Sequence, residues 1–488
     1  MSEPIDLRPL FEPNGVIVAG ASTHPGKFGF VSLHNILRCG FEGQVFALAR
    51  EGGEILGVEV LDSPDEIPHG AAELLFICTP TSVNEQLLRD CAARGVKAAF
   101  CAAGGYSEAG PEGIEAEQRL VAVADELGIV LAGPNGQGIT SPPANLCAQI
   151  TAPYPPAGSI AIASQSGNFV SSFNNYANNA GIGVSRSVSA GNAASTGVID
   201  YLEWFADDPA TAVSLIYVEG IEDGRAFYER VKPLALKKPI VVLKGGATTG
   251  GQAAAASHTG ALASNDAIFS GMARQAGIVR ADTVEEAFEA AATFATQPLP
   301  KGPNTAVLTT AGGWGVVTAD ALTTAANLEL APLPDDLMAA LDEKLPPRWS
   351  KGNPIDLAGG ETRDTIPEVM ALVAEHPSID AVVYLGVGIQ SNQASLMKSG
   401  EFYPDHGLER IVGFHERQDA RYAEAAAELS ASTGKPILTA TELAVAQPTN
   451  PGVTSTRDNG RLCYPTSNRA VTALDHLAWY ASYLERHA

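Results

Sequence analysis

Short apolar runs alternate with amphipathic stretches from Gly15 almost to the end of the chain, and this alternation limits the fold more than any other property. Runs such as Gly15-Val16-Ile17-Val18-Ala19, Ser159-Ile160-Ala161-Ile162-Ala163 and Asn304-Thr305-Ala306-Val307-Leu308 carry no charge. Strands without polar alternation are buried on both faces, and helical stretches between them are the crossovers of parallel sheets. The expected fold class is therefore α/β. Two Pro-rich breaks divide the chain, one from Ser141-Pro142-Pro143 to Tyr154-Pro155-Pro156 and one at Gln297-Pro298-Leu299-Pro300-Lys301-Gly302-Pro303. They predict domains of 1–145, 156–297 and 302–488.

The second and third domains read as divergent copies. Ser159–Asn168 parallels Asn304–Gly313, each a strand, a small-residue turn and a helix start. Tyr217-Val218-Glu219 parallels Tyr384-Leu385-Gly386, which sets Gly386 against Glu219.

Lys+Arg 31 against Asp+Glu 55 leaves a formal charge of −24, which disfavours nucleic acid or an anionic membrane as a partner. No stretch is apolar and long enough to span a bilayer, and Met1-Ser2-Glu3-Pro4 is no secretory signal. The six cysteines are scattered without metal-type spacing and read as reduced thiols. The expected location is the cytoplasm.

Three strand ends of the first domain open onto small-residue loops. The first is Gly20-Ala21-Ser22-Thr23-His24-Pro25-Gly26-Lys27-Phe28-Gly29, a turn whose backbone N–H groups would surround an anion, with Lys27 adding a point charge. Ser22 stands where the dinucleotide fingerprint has its second Gly, and Walker A spacing is missing, so a Rossmann dehydrogenase and a P-loop kinase are disfavoured. Thr79-Pro80 and Ala103-Gly104-Gly105 close the next strands. Ligands of doubly wound sheets sit at carboxyl strand ends, so three such loops point to one extended, nucleotide-containing ligand.

In the second domain, Ser164-Gln165-Ser166-Gly167 leads into a helix, and no charged residue occurs between Glu126 and Arg186. A helix N-terminus holds phosphate through N–H donors and partial positive charge alone. Further on, His258 is the one titratable side chain from Gly245 to Asn265, between the strand Pro239–Lys244 and a helix start capped by Asn265. Glu219 closes an apolar strand, where it is the best candidate to hold one ring nitrogen of His258 and raise the nucleophilicity of the other. A Ser-His-Asp hydrolase using Ser166 competes, but the G-x-S-x-G elbow is absent because residue 164 is Ser. Metal-ligand spacing around His258 is absent too, so no metal site is expected in this chain.

With these residues placed, the chain resembles the alpha subunit of NDP-forming acyl-CoA synthetases of the ADP-forming acetate–CoA ligase kind, and more distantly that of succinyl-CoA synthetase. The resemblance runs over nearly the full length. It is carried in order by Gly20-Ala21-Ser22 with Pro25-Gly26-Lys27-Phe28-Gly29, Gly133-Pro134-Asn135, Ser164–Gly167, Tyr217-Val218-Glu219-Gly220-Ile221, Ser257-His258-Thr259-Gly260 and Asn353-Pro354-Ile355-Asp356-Leu357. It implies a Rossmann-like CoA-binding domain followed by two flavodoxin-like domains of the succinyl-CoA synthetase type. It implies CoA contacts at Gly20, Ser22, Pro25, Lys27, Gly29, Thr79, Pro80 and Gly104. His258 would be phosphorylated transiently, with Glu219 holding its ring and Ser164, Gln165, Ser166, Gly167 and Gly260 around the phosphate.

The implied reaction is acid + CoA + NTP = acyl-CoA + NDP + phosphate, through an acyl phosphate. No remaining segment is long enough for an ATP-grasp module. Mg-ATP (or GTP) is therefore expected on a separate ATP-grasp beta subunit, in a heterotetramer acting on a small carboxylic acid. The alternative is a CoA-binding or acyl-CoA-binding regulatory protein without turnover. Three positions depart from the family: Gly136-Gln137 replaces Cys-Leu, the strand Phe46–Arg50 lacks a following Asn-Pro, and Trp314 replaces Pro.

Overall fold

The computed structural model describes residues 5–50, 52–221, 223–253, 265–357 and 364–487. It divides into two compact units, Met1–Asn179 with Gly183–Ala287, and Ala180–Ile182 with Phe288–Ala488.

The first unit contains two seven-stranded sheets. In the first sheet the strands run Gly53–Ile55, Val58–Leu61, Gln44–Leu48, Gly15–Ala19, Leu74–Ile77, Ala98–Cys101 and Val130–Ala132. All neighbours are parallel except Gly53–Ile55 against Val58–Leu61. The six parallel strands therefore follow the 3-2-1-4-5-6 order of dinucleotide-binding folds. Alternate residues enter different cores. Val16, Val18, Phe76 and Phe100 belong to one buried cluster, while Ile17, Ala19, Leu75 and Ile77 belong to another. A strand apolar at every position is thus used on both faces.

In the second sheet the order is Val279–Ala281, Ile240–Lys244, Val213–Val218, Ala157–Ser164, Val184–Ser189, Gly138–Ser141 and Leu146–Gln149. Its five parallel strands follow the flavodoxin-like 2-1-3-4-5 order. The last two strands form an antiparallel hairpin on the edge, turned at Pro142–Ala144. The first of these strands leads into the Pro-rich break read from the sequence as a domain boundary and the second lies within it, and their hydrogen bonds place both in the second sheet. Ala161, Ala163, Val188 and Ile216 share the cluster that contains Val16 and Phe76, so one apolar layer serves both sheets. Arg186, 2% exposed within the strand Val184–Ser189, is tied down by Asp208 (Nε–Oδ2 3.1 Å), Ser141 and Glu12.

The second unit repeats the flavodoxin-like order with Glu329–Leu330, Asn304–Thr309, Ala381–Leu385, Ile437–Ala440 and Cys463–Tyr464, all parallel. Its first turn copies that of the second sheet. Ser166 N–H donates to Ser164 Oγ at 3.1 Å and Ala311 N–H donates to Thr309 Oγ1 at 2.9 Å, while each hydroxyl donates onward to the carbonyl two residues ahead. The ladders correct the repeat alignment by one residue. Ser164 lies opposite Tyr217, and Thr309 lies opposite Leu385. Val387 therefore stands at the level of Glu219, where the sequence match had set Gly386; a one-residue slip exchanges the faces of a strand.

At the amino edge of the first sheet, buried Glu73 accepts from Arg8 (2.7 and 3.0 Å), Lys97 (2.8 Å) and Asn14 N–H (3.2 Å). The Arg8 guanidinium, opposed by burial and aided by Lys97, holds its carboxyl down at about 2. A depressed carboxylate stabilises the fold above its unfolded value and loses that contribution as pH falls towards the folded value. Glu73→Gln should lower unfolding free energy by about 3 kcal/mol at pH 7. In urea titrations the gap between variant and wild type should close as pH drops from about 5 to 2.

Candidate functional site

Strand order reverses beside Ala157–Ser164, and the loops leaving this strand and its neighbour Val213–Val218 define the cleft of the second sheet. Ser164 is fully buried and its hydroxyl closes the turn to Ser166. Gln165 N–H donates to Tyr217 O at 3.2 Å. Of the four loop residues among the five expected around a phosphate, Gln165 and Ser166 thus use their amides within the loop. The amides of Gly167 and Asn168 open the helix Gly167–Ala180, where the first N–H groups have no intrahelical partner.

The side chain of Gln165 does something the sequence did not reveal. Its Oε1 accepts from the amides of Glu219 (2.6 Å) and Gly220 (3.4 Å), and its Nε2 donates to Gly220 O (3.2 Å). One amide side chain therefore fixes the backbone from which Glu219 projects. Glu219 is 8% exposed, and Tyr217 Oη donates to its Oε1 at 3.2 Å. The Tyr217 ring stacks on Phe169, centroids 4.1 Å apart, and burial together with the Glu219 charge pushes its phenol up. A Cβ on Gly245 would fall 2.5 Å from Tyr217 Oη, so the small-residue run must begin with glycine to pass this carboxylate.

Gln137, one of the departures noted above, rests on the same helix start. Its Nε2 donates to Asn168 Oδ1 (3.1 Å), its Oε1 accepts from Ser171 Oγ (3.0 Å), and a Cβ on Gly167 would meet it at 2.4 Å.

Both described ends of the run are anchored. Lys244 is buried, donates to Gly245 O at 3.0 Å and lies 3.8 Å from Asp266, and burial pushes its ammonium down. Asp266 takes a two-pronged contact from Arg280 at 2.9 and 3.0 Å. Asn265 caps the helix Asp266–Ala276 as expected, accepting from Ala267 N–H at 3.0 Å. His258 and Gly260 lie outside the described residues.

In the first sheet, Gly20 has φ +81° and the Cβ of any residue at Gly29 would sit 1.9 Å from Gly20 O, so both positions require glycine. Ser22 Oγ accepts from His24 N–H, and His24 Nδ1 accepts from Gly26 N–H, each at 3.1 Å. Pro25 and Lys27 are exposed, and Lys27 leaves the first turn of the helix Phe28–Arg38 without a side-chain cap. Thr79 Oγ1 donates to Asn84 Oδ1 (2.6 Å) and Asn84 Nδ2 donates to Tyr106 Oη (2.7 Å). Asn84, absent from the sequence reading, thus joins the Thr79-Pro80 loop to the loop holding Gly104. A Cβ on Gly104 would lie 3.0 Å from Glu108 and 3.5 Å from Asn135.

Asn192 links the two sheets. Its Nδ2 donates to Glu108 (2.6 Å), Glu117 (2.8 Å) and Ser107 (3.0 Å), and its Oδ1 accepts from Asn135 (3.2 Å). Beside it a Cβ on Gly191 would collide with Pro134 O at 2.1 Å. The carboxyl ends of both sheets therefore meet at Gly133-Pro134-Asn135. Among the described residues no three His, Cys, Asp or Glu are grouped to hold a metal ion.

Known proteins match this arrangement along the whole chain. Residues 14–142 match the family described as a CoA binding domain, 157–294 a succinyl-CoA ligase like flavodoxin domain, and 305–389 a ligase-CoA domain. Acetate–CoA ligase [ADP-forming] I subunit alpha of Pyrococcus furiosus is 36% identical over 391 residues, 78% of this chain and 83% of its own length. Acetate–CoA ligase [ADP-forming] I of Archaeoglobus fulgidus is 35% identical over 80% of this chain, and the match spans 56% of that longer protein. The solved structure of a Ca. Korarchaeum cryptofilum dinucleotide forming acetyl-coenzyme A synthetase 1, in complex with phosphate and ADP, superposes with a TM-score of 0.84 at 30% identity and 99% coverage of both chains.

Gln165→Leu leaves the Glu219 and Gly220 amides buried without their acceptor, a loss of about 1–3 kcal/mol local to this turn. Hydrogen exchange read by mass spectrometry should show those two amides exchanging roughly 10- to 100-fold faster. The hairpin Gly138–Gln149 should exchange as in wild type.

Proposed function

We propose, for a chain that belongs to the family of ADP-forming acyl-CoA synthetases, that it is the subunit that binds CoA and carries the phosphoryl group on His258. It is an acid–thiol ligase, and relatives at 35–36% identity are ligases, which leaves the binding-only alternative without support. The observation that carries the finer reading is Glu219. This buried carboxylate is fixed by Gln165 and Tyr217 at the strand-order reversal, beside the open helix start at Gly167 and the first residue of the run that contains His258.

The steps follow from these groups. Glu219 accepts the proton of one ring nitrogen of His258, and the other nitrogen takes the terminal phosphoryl of the nucleotide, releasing NDP. A carboxylate oxygen of the acid then attacks that phosphorus, the N–P bond breaks, and an acyl phosphate forms. Attack of the CoA sulfur on the acyl carbon expels phosphate and leaves the thioester, the thiol proton passing to solvent or phosphate. Through these steps the amides of Gly167 and Asn168 and the helix dipole behind them stabilise phosphate oxygens without a Lys or Arg. Gly20–Gly29 with Lys27, Thr79-Pro80 and Gly104 line the first domain's cleft for CoA. With the edge hairpin Gly138–Gln149 counted in the second sheet, the segments up to residue 137, 138–297 and 302–488 then act as CoA-binding, phosphohistidine and second flavodoxin-like domains.

Nucleotide binding falls to a partner. The alpha subunits of Pyrococcus furiosus match over 82–83% of their length, whereas in relatives such as those of Archaeoglobus fulgidus and Nitrosopumilus maritimus the match spans about half. That the relatives of Pyrococcus furiosus are alpha subunits supports a separate ATP-grasp beta subunit with Mg-nucleotide here, in a heterotetramer in the cytoplasm. No described helix is long and apolar enough to cross a membrane.

Radiolabelled ATP should not label the isolated chain, and should label it when the beta subunit is present. His258→Asn should abolish both labelling and acyl-CoA formation; equal labelling of variant and wild type would sink the assignment. Glu219→Gln should slow labelling by about 100-fold, because it removes the proton acceptor behind the nucleophile, while CoA binding measured by calorimetry stays as in wild type.

A further inference from the structure

The sequence presents six unrelated cysteines, but the fold brings two of them together. Helix Phe28–Arg38 of the first domain lies along the edge strand Leu146–Gln149 of the second sheet. Asn35 Nδ2 donates to the carbonyls of Gln149 (2.7 Å) and Thr151 (2.9 Å), and Tyr154 Oη donates to Asn35 Oδ1 (2.6 Å). From Asn35 one turn of helix leads to Cys39, an advance of about 6 Å. From Gln149 two residues back along the same strand face lead to Cys147, about 7 Å. These steps bring Cys39 and Cys147 into direct side-chain contact. Both cysteines are reduced; Cys39 is half-buried and Cys147 buried.

We infer that Cys39 and Cys147 form an oxidation-sensitive pair that closes to a disulfide under a hydroperoxide, cross-linking helix Phe28–Arg38 to the strand Leu146–Gln149. The chemistry is a two-electron oxidation. The Cys39 thiolate attacks one peroxide oxygen, the O–O bond breaks, and water leaves with the thiol proton, giving a sulfenic acid. Cys147 then attacks that sulfur, the S–O bond breaks, and the hydroxyl leaves as a second water with the Cys147 proton. Two thiols and one hydroperoxide thus become one disulfide and two hydroxyl products, both of them water when the oxidant is hydrogen peroxide.

The surroundings assign the two roles. The contact with Cys147, opposed by burial and aided by Arg38, holds the Cys39 thiol below its ordinary value, which favours the attacking thiolate. Cys147 is pushed up by the same contact and by burial, as suits the resolving thiol. Burial is the main cause that pushes Cys78, Cys91, Cys101 and Cys463 up to about 12. Asn35 and Tyr154 already hold the helix against the strand in the reduced protein, so the bond would lock the CoA-type domain to its neighbour.

The reduced full-length chain is treated with hydrogen peroxide, denatured, alkylated and digested for mass spectrometry. Wild type should lose two of its six alkylatable thiols and yield a linked peptide pair containing Cys39 and Cys147, with both thiols restored by dithiothreitol. Cys147→Ala should give no linked pair and a Cys39 sulfenic acid that dimedone traps. The inference is overturned if Cys39 of wild type accumulates sulfenic or sulfinic acid while Cys147 stays alkylatable, or if the linked peptides join other cysteines. The wild-type measurement decides by itself, so poor folding of the variant cannot rescue the idea.

Discussion

The reversal of strand order beside Ala157–Ser164 is the constraint on which the rest of the site depends. Because the first strand of the second domain lies inside its sheet, the loop leaving it and the end of Val213–Val218 are neighbours, and helices depart to opposite faces around them. Backbone geometry alone then places an open helix start and the residue after the strand within one cleft. Gln165 turns that coarse proximity into a fixed relation, since its amide ties the loop of one strand to the backbone of the other. Remove the adjacency and neither the carboxylate nor the anion site has a partner.

The same economy governs charge. A chain with a formal charge of −24 repels phosphate at long range, and the loop leaving Ala157–Ser164 belongs to a segment, 127–185, without Lys or Arg. What it offers is neutral: N–H groups and a helix dipole, effective at contact distance and little affected by the overall field. The cations nearby are committed elsewhere. Arg186 is paired with Asp208 inside the strand layer, Arg280 with Asp266, and Lys244 with its own loop carbonyl. Anchoring Lys244 and Asp266 at 3.8 Å holds the two ends of the run together while adding no mobile charge to it.

Much of this was legible in the residues. Uncharged strands announced parallel sheets covered on both faces, Asn265 announced its helix, and Glu219 at the end of an apolar strand stood out because a charge there needs a reason. Roles carried by side-chain amides did not stand out. Gln165 reads only as part of a phosphate loop, Asn84 and Asn192 have neither periodicity nor charge, and all three act only once distant loops have met. The Pro-rich stretch after Ser141 reads as a linker because Pro marks turns as readily as boundaries; on the edge of a sheet it makes the tip of a hairpin. The Tyr217 and Tyr384 match misled for a related reason. Identity of one side chain outweighed register, and register is set by hydrogen bonds that the sequence does not display.

Corrected by that register, the duplication explains why the two flavodoxin-like sheets differ in chemistry. The third sheet keeps the hydroxyl-closed turn at Thr309–Ala311 and the helix start at Gly312. It keeps the strand-order reversal as well. At the level of Glu219, however, it has Val387, wholly buried in the apolar cluster with Leu308 and Val382. On either side of Val387 the backbone turns through glycines of positive φ, Gly386 at +106° and Gly388 at +89°, and a Cβ on Gly386 would meet Thr310 Oγ1 at 2.2 Å. A carboxylate cannot be restored there by one substitution, because the packing that replaced it has closed around an apolar side chain. The third sheet thus retains the turn and the helix start and lacks a carboxylate at the level of Glu219, which in the second sheet Gln165 and Tyr217 hold in place.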